Sequence, residues 1–177
     1  MIKSKKDSIK QNTSQAIGLD ISLSIVKFIT GKDNLHYGYW KDLDTNLSNL
    51  GLAQELYTQH LLSYLPNKKS GHNLKILDIG GGSGQTASYL IKMGHDVTII
   101  VPSLILAKRA IENTKNKATI HLTTFENYEP KENEKYDICL YSESFQYIPI
   151  NISLRKSKGL LNPGGHILIA DCFRSNI

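Results

Sequence analysis

The sequence predicts an α/β chain built on a doubly wound, mostly parallel sheet. Three observations carry that prediction. From Leu74 onward, short apolar runs alternate with amphipathic stretches of helical period. The apolar runs are solid rather than alternating, as in strands covered on both faces. The first of them ends in Asp78 and breaks into Gly80-Gly81-Gly82-Ser83-Gly84, a turn of little side-chain bulk that opens a helix.

Residues 1–15 are polar and lysine-rich, which predicts a flexible, solvated terminus. Ile17, Ile21, Ile25 and Phe28 recur at helical spacing and predict a helix over 17–29. Gly31-Lys32-Asp33-Asn34 reads as a loop, followed by the aromatic cluster His36-Tyr37-Gly38-Tyr39-Trp40. A second helix is predicted over 50–65, with Ala53, Leu56, Tyr57, His60, Leu61 and Tyr64 on one stripe. Pro66 and the polar stretch 67–73 end it. Strands are then predicted over 74–79, 96–101, 119–122, 136–141 and 166–171, and helices over 85–93, 103–115 and 150–161. Right-handed crossovers give such a chain an open sheet, with its ligand at the carboxyl ends of the strands.

Composition narrows the function classes. A chain of 177 residues, 40% hydrophobic and 21% charged, supports one domain with a substantial core and excludes wholesale disorder. The net charge is +5 and the pI about 9.1. Much of that excess lies in Lys3, Lys5, Lys6 and Lys10, with no arginine cluster or aromatic ladder among them, so no nucleic-acid partner is expected. Asp20 and Lys27 interrupt the apolar segment 16–29, which therefore predicts no membrane span. Cys139 and Cys172 lie in apolar runs without histidine or acid at ligand spacing, which predicts free thiols, no metal site and a cytoplasmic setting.

The strand–turn–helix at 75–93 puts backbone N–H groups and a helix N-terminus beside a polar ligand. Asp78 just before the turn repels a dinucleotide pyrophosphate but suits a ligand carrying a cation, which points to S-adenosylmethionine rather than NAD.

Here a resemblance enters. Leu77-Asp78-Ile79-Gly80-Gly81-Gly82-Ser83-Gly84 resembles the first motif of the class I, Rossmann-like, S-adenosylmethionine-dependent methyltransferases. Tyr136-Asp137-Ile138-Cys139-Leu140-Tyr141 resembles their fourth strand, and Leu160-Leu161-Asn162-Pro163-Gly164-Gly165-His166-Ile167-Leu168-Ile169 their Pro-Gly-Gly turn and fifth strand. Tyr37-Gly38-Tyr39-Trp40 is similar to the leader of the small-molecule branch. The likeness covers residues 35–174. It implies a flexible segment and helical lid over 1–66, and a methyltransferase core over 67–177. It also implies a small-molecule acceptor and a cofactor site at Asp78, Gly80, Gly81, Gly82, Gly84, Val101, Pro102, Thr124, Phe125, Tyr141 and Tyr37. Acceptor-side candidates are Tyr141 and Glu143, with Phe145 and Gln146 beside them and Tyr37, Tyr39 and Trp40 as a lid. An equal alternative has those three aromatics packing the N-terminal helices.

The sequence departs from the family pattern at several points. Val101 stands where an acid for the ribose hydroxyls is usual, which removes about 1–3 kcal/mol of hydroxyl recognition. Thr124 stands nearest the adenine-side acid, with Phe125 placed to pack on the purine and Glu126 as a substitute acid. Tyr147 occupies the place of a histidine base, and His36 and His166 are weak replacements. The C-terminal β-hairpin of the family is not in the sequence, which leaves strand 166–171 as an apolar edge. Either the chain is a fragment, or another chain, in a homo- or hetero-oligomer, covers that edge. Two rival readings stand beside methyl transfer. One is a catalytically degenerate methyltransferase fold serving as a binding or regulatory protein. The other is an NAD-dependent oxidoreductase, based on Gly82-Ser83-Gly84-Gln85-Thr86-Ala87.

Overall fold

A computed structural model describes residues 2–3, 13–66 and 73–172. The chain divides into two compact units, Lys10–Asn67 and Met1–Ile9 with Lys68–Ile177.

The first unit holds α1 (Thr13–Thr30) and α2 (Leu50–Ser63), the latter led in by a 3₁₀ turn at Leu47–Asn49. Asn46 caps that turn by accepting from the Asn49 amide at 3.0 Å. The stripe read on α1 has helical spacing, yet Ile17, Ile21, Ile25 and Phe28 are exposed and Leu23 is the buried residue. On α2 the inward positions are Ala53, Gln54, Thr58 and Leu61, while Tyr64 faces outward. Gln54 holds the preceding loop to the helix, its Nε2 donating to the carbonyls of Asn34 and His36 at 3.2 and 3.0 Å.

The second unit is the sheet. Its strands are β1 (Ile2–Lys3), β2 (Lys75–Ile79), β3 (Asp96–Val101), β4 (Thr119–Leu122), β5 (Tyr136–Ser142) and β6 (Leu161–Ala170). Their order is β1-β4-β3-β2-β5-β6, and every neighbouring pair is parallel. Helices α3 (Gln85–Lys92), α4 (Leu104–Asn113) and α5 (Ile150–Leu160) supply the crossovers. The solid apolar runs are buried as their pattern requires: Ile76, Leu77, Ile79, Val97, Ile99, Ile100, Ile138, Cys139 and Leu140 are all 1% exposed or less. The chain runs one way from β2 through β3 to β4 and then returns to the other side of β2 as β5. The carboxyl ends of β2 and β5 therefore flank the switch point where open α/β sheets bind ligands.

Within the N-terminal segment, Ile2–Lys3 form an edge strand paired with Ile120 and His121; residues 4–12, with Lys5, Lys6 and Lys10, lie outside the described residues, as do 67–72. The last strand begins at Leu161 rather than His166, because its pairing with β5 starts at Tyr136–Leu161 and resumes at Ile138–His166. Pro163, Gly164 and Gly165 bulge out between these pairs, a role suited to a proline and a glycine at φ +79°. Asp137 stitches the strand starts, accepting from the Lys75 amide and from Asn162 Nδ2, both at 2.8 Å. Among the described residues β6 is a sheet edge.

Gly84, at φ +76°, caps α3 where an added Cβ would lie 2.9 Å from Ala110 Cα in α4. Neither the conformation nor the space admits a side chain. Gly84→Ala is expected to lower stability by about 2 kcal/mol or more, read as a shift in the urea midpoint with the slope retained.

Candidate functional site

The site is built where β2 ends. Gly80 and Gly82 take φ of +75° and +54°, so the chain after Ile79 folds into a tight turn before α3. Gly80 and Gly81 amides donate to Ile100 O at 2.8 and 3.3 Å, which ties the turn to β3. Gly84 closes it by donating to Gly81 O at 2.9 Å, and Asn113 Nδ2 donates to Ser83 O at 2.9 Å. A Cβ on Gly82 would meet nothing closer than Gly80 O at 4.0 Å, so the space over that residue is open.

Asp78 lies beneath this turn. It is fully buried, and neither carboxylate oxygen has a hydrogen-bond partner among the described residues. A Cβ on Gly81 would sit 2.5 Å from Asp78 Oδ2, so glycine is what lets the main chain rest on the carboxyl group. Burial pushes the Asp78 pKa up to about 7. A buried carboxylate left without a donor is costly, and a cation brought to the turn would offset that cost.

Around the turn the predicted residues divide. Val101 ends β3 at 1% exposure, its side chain in the core, so an apolar group fills the position where an acid is usual. Pro102 is exposed, Ser103 caps α4, and Thr124 is half-buried in the loop after β4. Phe125 is 2% exposed, edge-on to Tyr141 with ring centroids 6.0 Å apart and with Lys156 Nζ 5.3 Å from its centroid, so its ring packs in the core. Glu126 is exposed.

Tyr141 is fully buried, and its hydroxyl shares a 2.7 Å hydrogen bond with Ser157 Oγ and donates to Ser153 O at 3.3 Å in α5. Burial pushes its pKa up to about 12, and it stays neutral inside the protein. Phe145 packs edge-on against it at 5.2 Å and is buried too. Beyond β5 the polar candidates named from the sequence are Glu143 and Gln146. Glu143 is half-buried in a left-handed conformation, φ +52°, and its amide donates to Ala170 O at 2.7 Å. Gln146 is exposed, and its amide donates to Asp171 Oδ2 at 3.0 Å.

The aromatic cluster belongs to the helical unit. Gly38, at φ +85°, lets the segment press on α2, where a Cβ would lie 2.9 Å from Ala53. Tyr39 N donates to Ala53 O at 2.8 Å, and the Tyr39 ring stacks on His60 with centroids 4.7 Å apart. His36 stacks on Tyr57 at 4.3 Å, and burial lowers its pKa to about 4, so it is a neutral packing residue near pH 7. Trp40 Nε1 donates to Tyr37 O at 2.7 Å. Tyr39 thus has the packing role, while Tyr37 is 69% exposed. His166 is an exposed residue within β6.

Two residues escaped the sequence reading. Ser144, at 7% exposure, donates through Oγ to Ile79 O, and Asp171 accepts from the Gln146 amide. A small hydroxyl residue just past the fourth predicted strand was the available signal for Ser144. Nothing in the spacing distinguished Asp171.

With the geometry in place, comparison with known proteins identifies the class. A family model described as a methyltransferase domain matches residues 77–169, and the chain belongs to the class I S-adenosylmethionine-dependent methyltransferase family. Methyltransferase GfsG of Streptomyces halstedii is 30% identical over 145 residues, covering 78% of this chain and 51% of that protein. A ubiquinone biosynthesis O-methyltransferase of Vibrio vulnificus is 28% identical over 142 residues, covering 77% and 58%. The chain spans about half the length of these curated relatives. Among solved structures, the geranyl diphosphate C-methyltransferase of Streptomyces coelicolor, crystallised with S-adenosyl-L-homocysteine, superposes with a TM-score of 0.66 at 13% identity, covering 82% of this chain and 58% of that one. The [4+2]-cyclase SpnF superposes with a TM-score of 0.67 at 19% identity, covering 91% and 61%. Both show the shared fold.

The buried carboxyl makes a measurable prediction. A raised acid pKa stabilises the fold below the ordinary carboxylate pKa, and that contribution is lost as pH rises through the folded-state value. Wild-type stability minus that of Asp78→Asn is therefore expected to fall between pH 4 and pH 7 and level off above, in urea melts across that range.

Proposed function

We propose that this protein transfers a methyl group from S-adenosylmethionine to a small-molecule acceptor. The observation that carries the reading is Asp78, a buried carboxylate without a partner beneath a glycine turn at the switch point of the sheet. The residues fit the cofactor: the carboxyl group awaits a cation, and the space above Gly82 is open. When bound, S-adenosylmethionine supplies a methyl group on a sulfonium, open to in-line attack by the acceptor.

The chain's own work is alignment. Gly80, Gly81, Gly82 and Gly84 shape the main chain to come within contact distance of the methionine portion, and Asp78 becomes ionised as a cation arrives. Pro102 and Thr124 border the adenosine side, where Val101 offers no polar side-chain atom to the ribose. Glu143 orients the acceptor from the end of β5. Tyr37, exposed in the helical unit, belongs to the lid assigned to residues 1–66. A cytoplasmic setting completes the proposal, supported by the free thiols Cys139 and Cys172; among the described residues no helix is long and apolar enough to cross a membrane.

A second reading, a binding protein that has lost catalysis, is favoured by Val101, whose buried side chain replaces a ribose acceptor. The fold itself hosts more than one chemistry, as the cyclase neighbour illustrates.

Titration calorimetry separates the readings. S-adenosylhomocysteine is expected to bind in the micromolar range and NAD not at all. Silence for both on a folded sample sinks the catalytic reading. Affinity is expected to rise from pH 5 to pH 7 and then level, with a proton released to buffer in the lower range, because binding favours the ionised form of Asp78. Gly82→Ala is expected to fold with about 1 kcal/mol lost to the left-handed conformation at φ +54°, since its methyl meets open space, yet to lower affinity about tenfold or more by occupying the approach to the turn.

A further inference from the structure

We propose that Ser144 is a positioning residue that locks the acceptor-side segment 143–147 to the cofactor turn 79–84, so that both move as one body. The inference rests on the methyltransferase reading for its purpose but on the backbone for its geometry. Strand β5 pairs with β2 through Ile76–Ile138, Leu77–Cys139 and Asp78–Leu140. It continues alongside β6 as far as Ser142–Ala170, and the Glu143 amide extends that pairing to Ala170 O. Past Leu140, then, β5 follows β6 and no longer pairs with the central strand.

The side chain of Ser144 restores the connection. Its hydroxyl donates to the carbonyl of Ile79, the last residue of β2, one step beyond the final pair of the β2–β5 ladder. The contact is close on the glycine side as well. A Cβ at Gly80 would lie 2.6 Å from Ser144 Cβ, so Gly80 at φ +75° lets the serine sit against the turn. Glu143, held at φ +52°, makes the backward bend that carries Ser144 there, a conformation that L side chains rarely adopt and that surrounding contacts must hold. The Tyr147 amide then donates to Ser144 O at 3.3 Å, and the Gln146 amide to Asp171 Oδ2, so the segment after the serine is pinned at both ends. The Ser144 hydroxyl is used on the Ile79 carbonyl, and in that way it sets the distance between the turn and the segment after β5. Group transfer in line depends on that distance.

The test is amide hydrogen exchange on the full chain, wild type against Ser144→Ala, with and without S-adenosylhomocysteine. Without ligand, Ser144→Ala is expected to raise exchange in 143–147 at least fivefold while β2, β3 and β5 keep theirs. A merely structural loss would raise exchange across the sheet. With ligand, the wild type is expected to gain protection in both 79–84 and 143–147, and Ser144→Ala in 79–84 alone. Ser144→Cys, which keeps the volume and a weak donor, is expected to restore part of the coupling, and it carries the same readout should the alanine variant fail to fold. Equal ligand-free exchange in 143–147 for wild type and variants overturns the proposal, as does ligand protection of that segment that survives the alanine change. A wild type that does not respond to S-adenosylhomocysteine sinks the functional reading alone, and the ligand-free comparison still decides the role of Ser144.

Discussion

The parallel pairing of Lys75–Ile79 with a strand on each side is the constraint on which the rest of the structure depends. Five register pairs join β2 to β3 and three join it to β5. These pairs bury Ile76, Leu77 and Ile79 completely and bring Asp78 into the same dry interior. Because β5 returns on the opposite side of β2 from β3, no crossover helix covers the end of the central strand. The turn after Ile79 therefore opens at the mouth of the sheet. Had β5 joined the β4 side, the same glycines would make an ordinary strand–helix turn.

That position explains the tolerance of an unfavourable group. An unpartnered carboxyl in an apolar layer opposes folding, and burial raises its pKa to about 7, so it is neutral only below that pH. The protein accepts this local loss where a ligand's charge can offset it, which is how stability and binding come to be traded at a single side chain. Gly81 makes the trade sterically feasible, since any Cβ there would collide with the carboxylate. The left-handed Glu143 is a second local cost at the same mouth, placed at the end of the neighbouring strand.

Away from the mouth the fold relies on ordinary means. Tyr128 and Tyr136 share a 2.8 Å hydrogen bond in the core, and Asp137 ties the starts of β2 and β6 to β5. Lys156 covers the rings of Phe125 and Tyr128 while donating to Glu126 O at 2.9 Å. These contacts hold the layer beneath α5 together, and the ring of Phe125 is packed among them.

The sequence by itself determined the alternation of strand and helix, the parallel sheet, the glycine turn and the importance of Asp78. Each follows from local rules: unbroken apolar runs bury on two faces, glycines admit positive φ, and an acid at the end of such a run demands a reason. Only the tertiary structure decided where individual side chains point. Phe125 and Tyr141 sit at the expected positions along the chain, but their rings turn into the layer beneath α5, which no spacing rule foretells. The stripe on α1 has the right period and the opposite exposure, because period fixes which residues share a face and not which face is covered. Ser144 was legible only as a small residue after a strand. Its partner, the Ile79 carbonyl, lies 65 positions away in the chain, and contacts at that separation exist only once the sheet has closed its register.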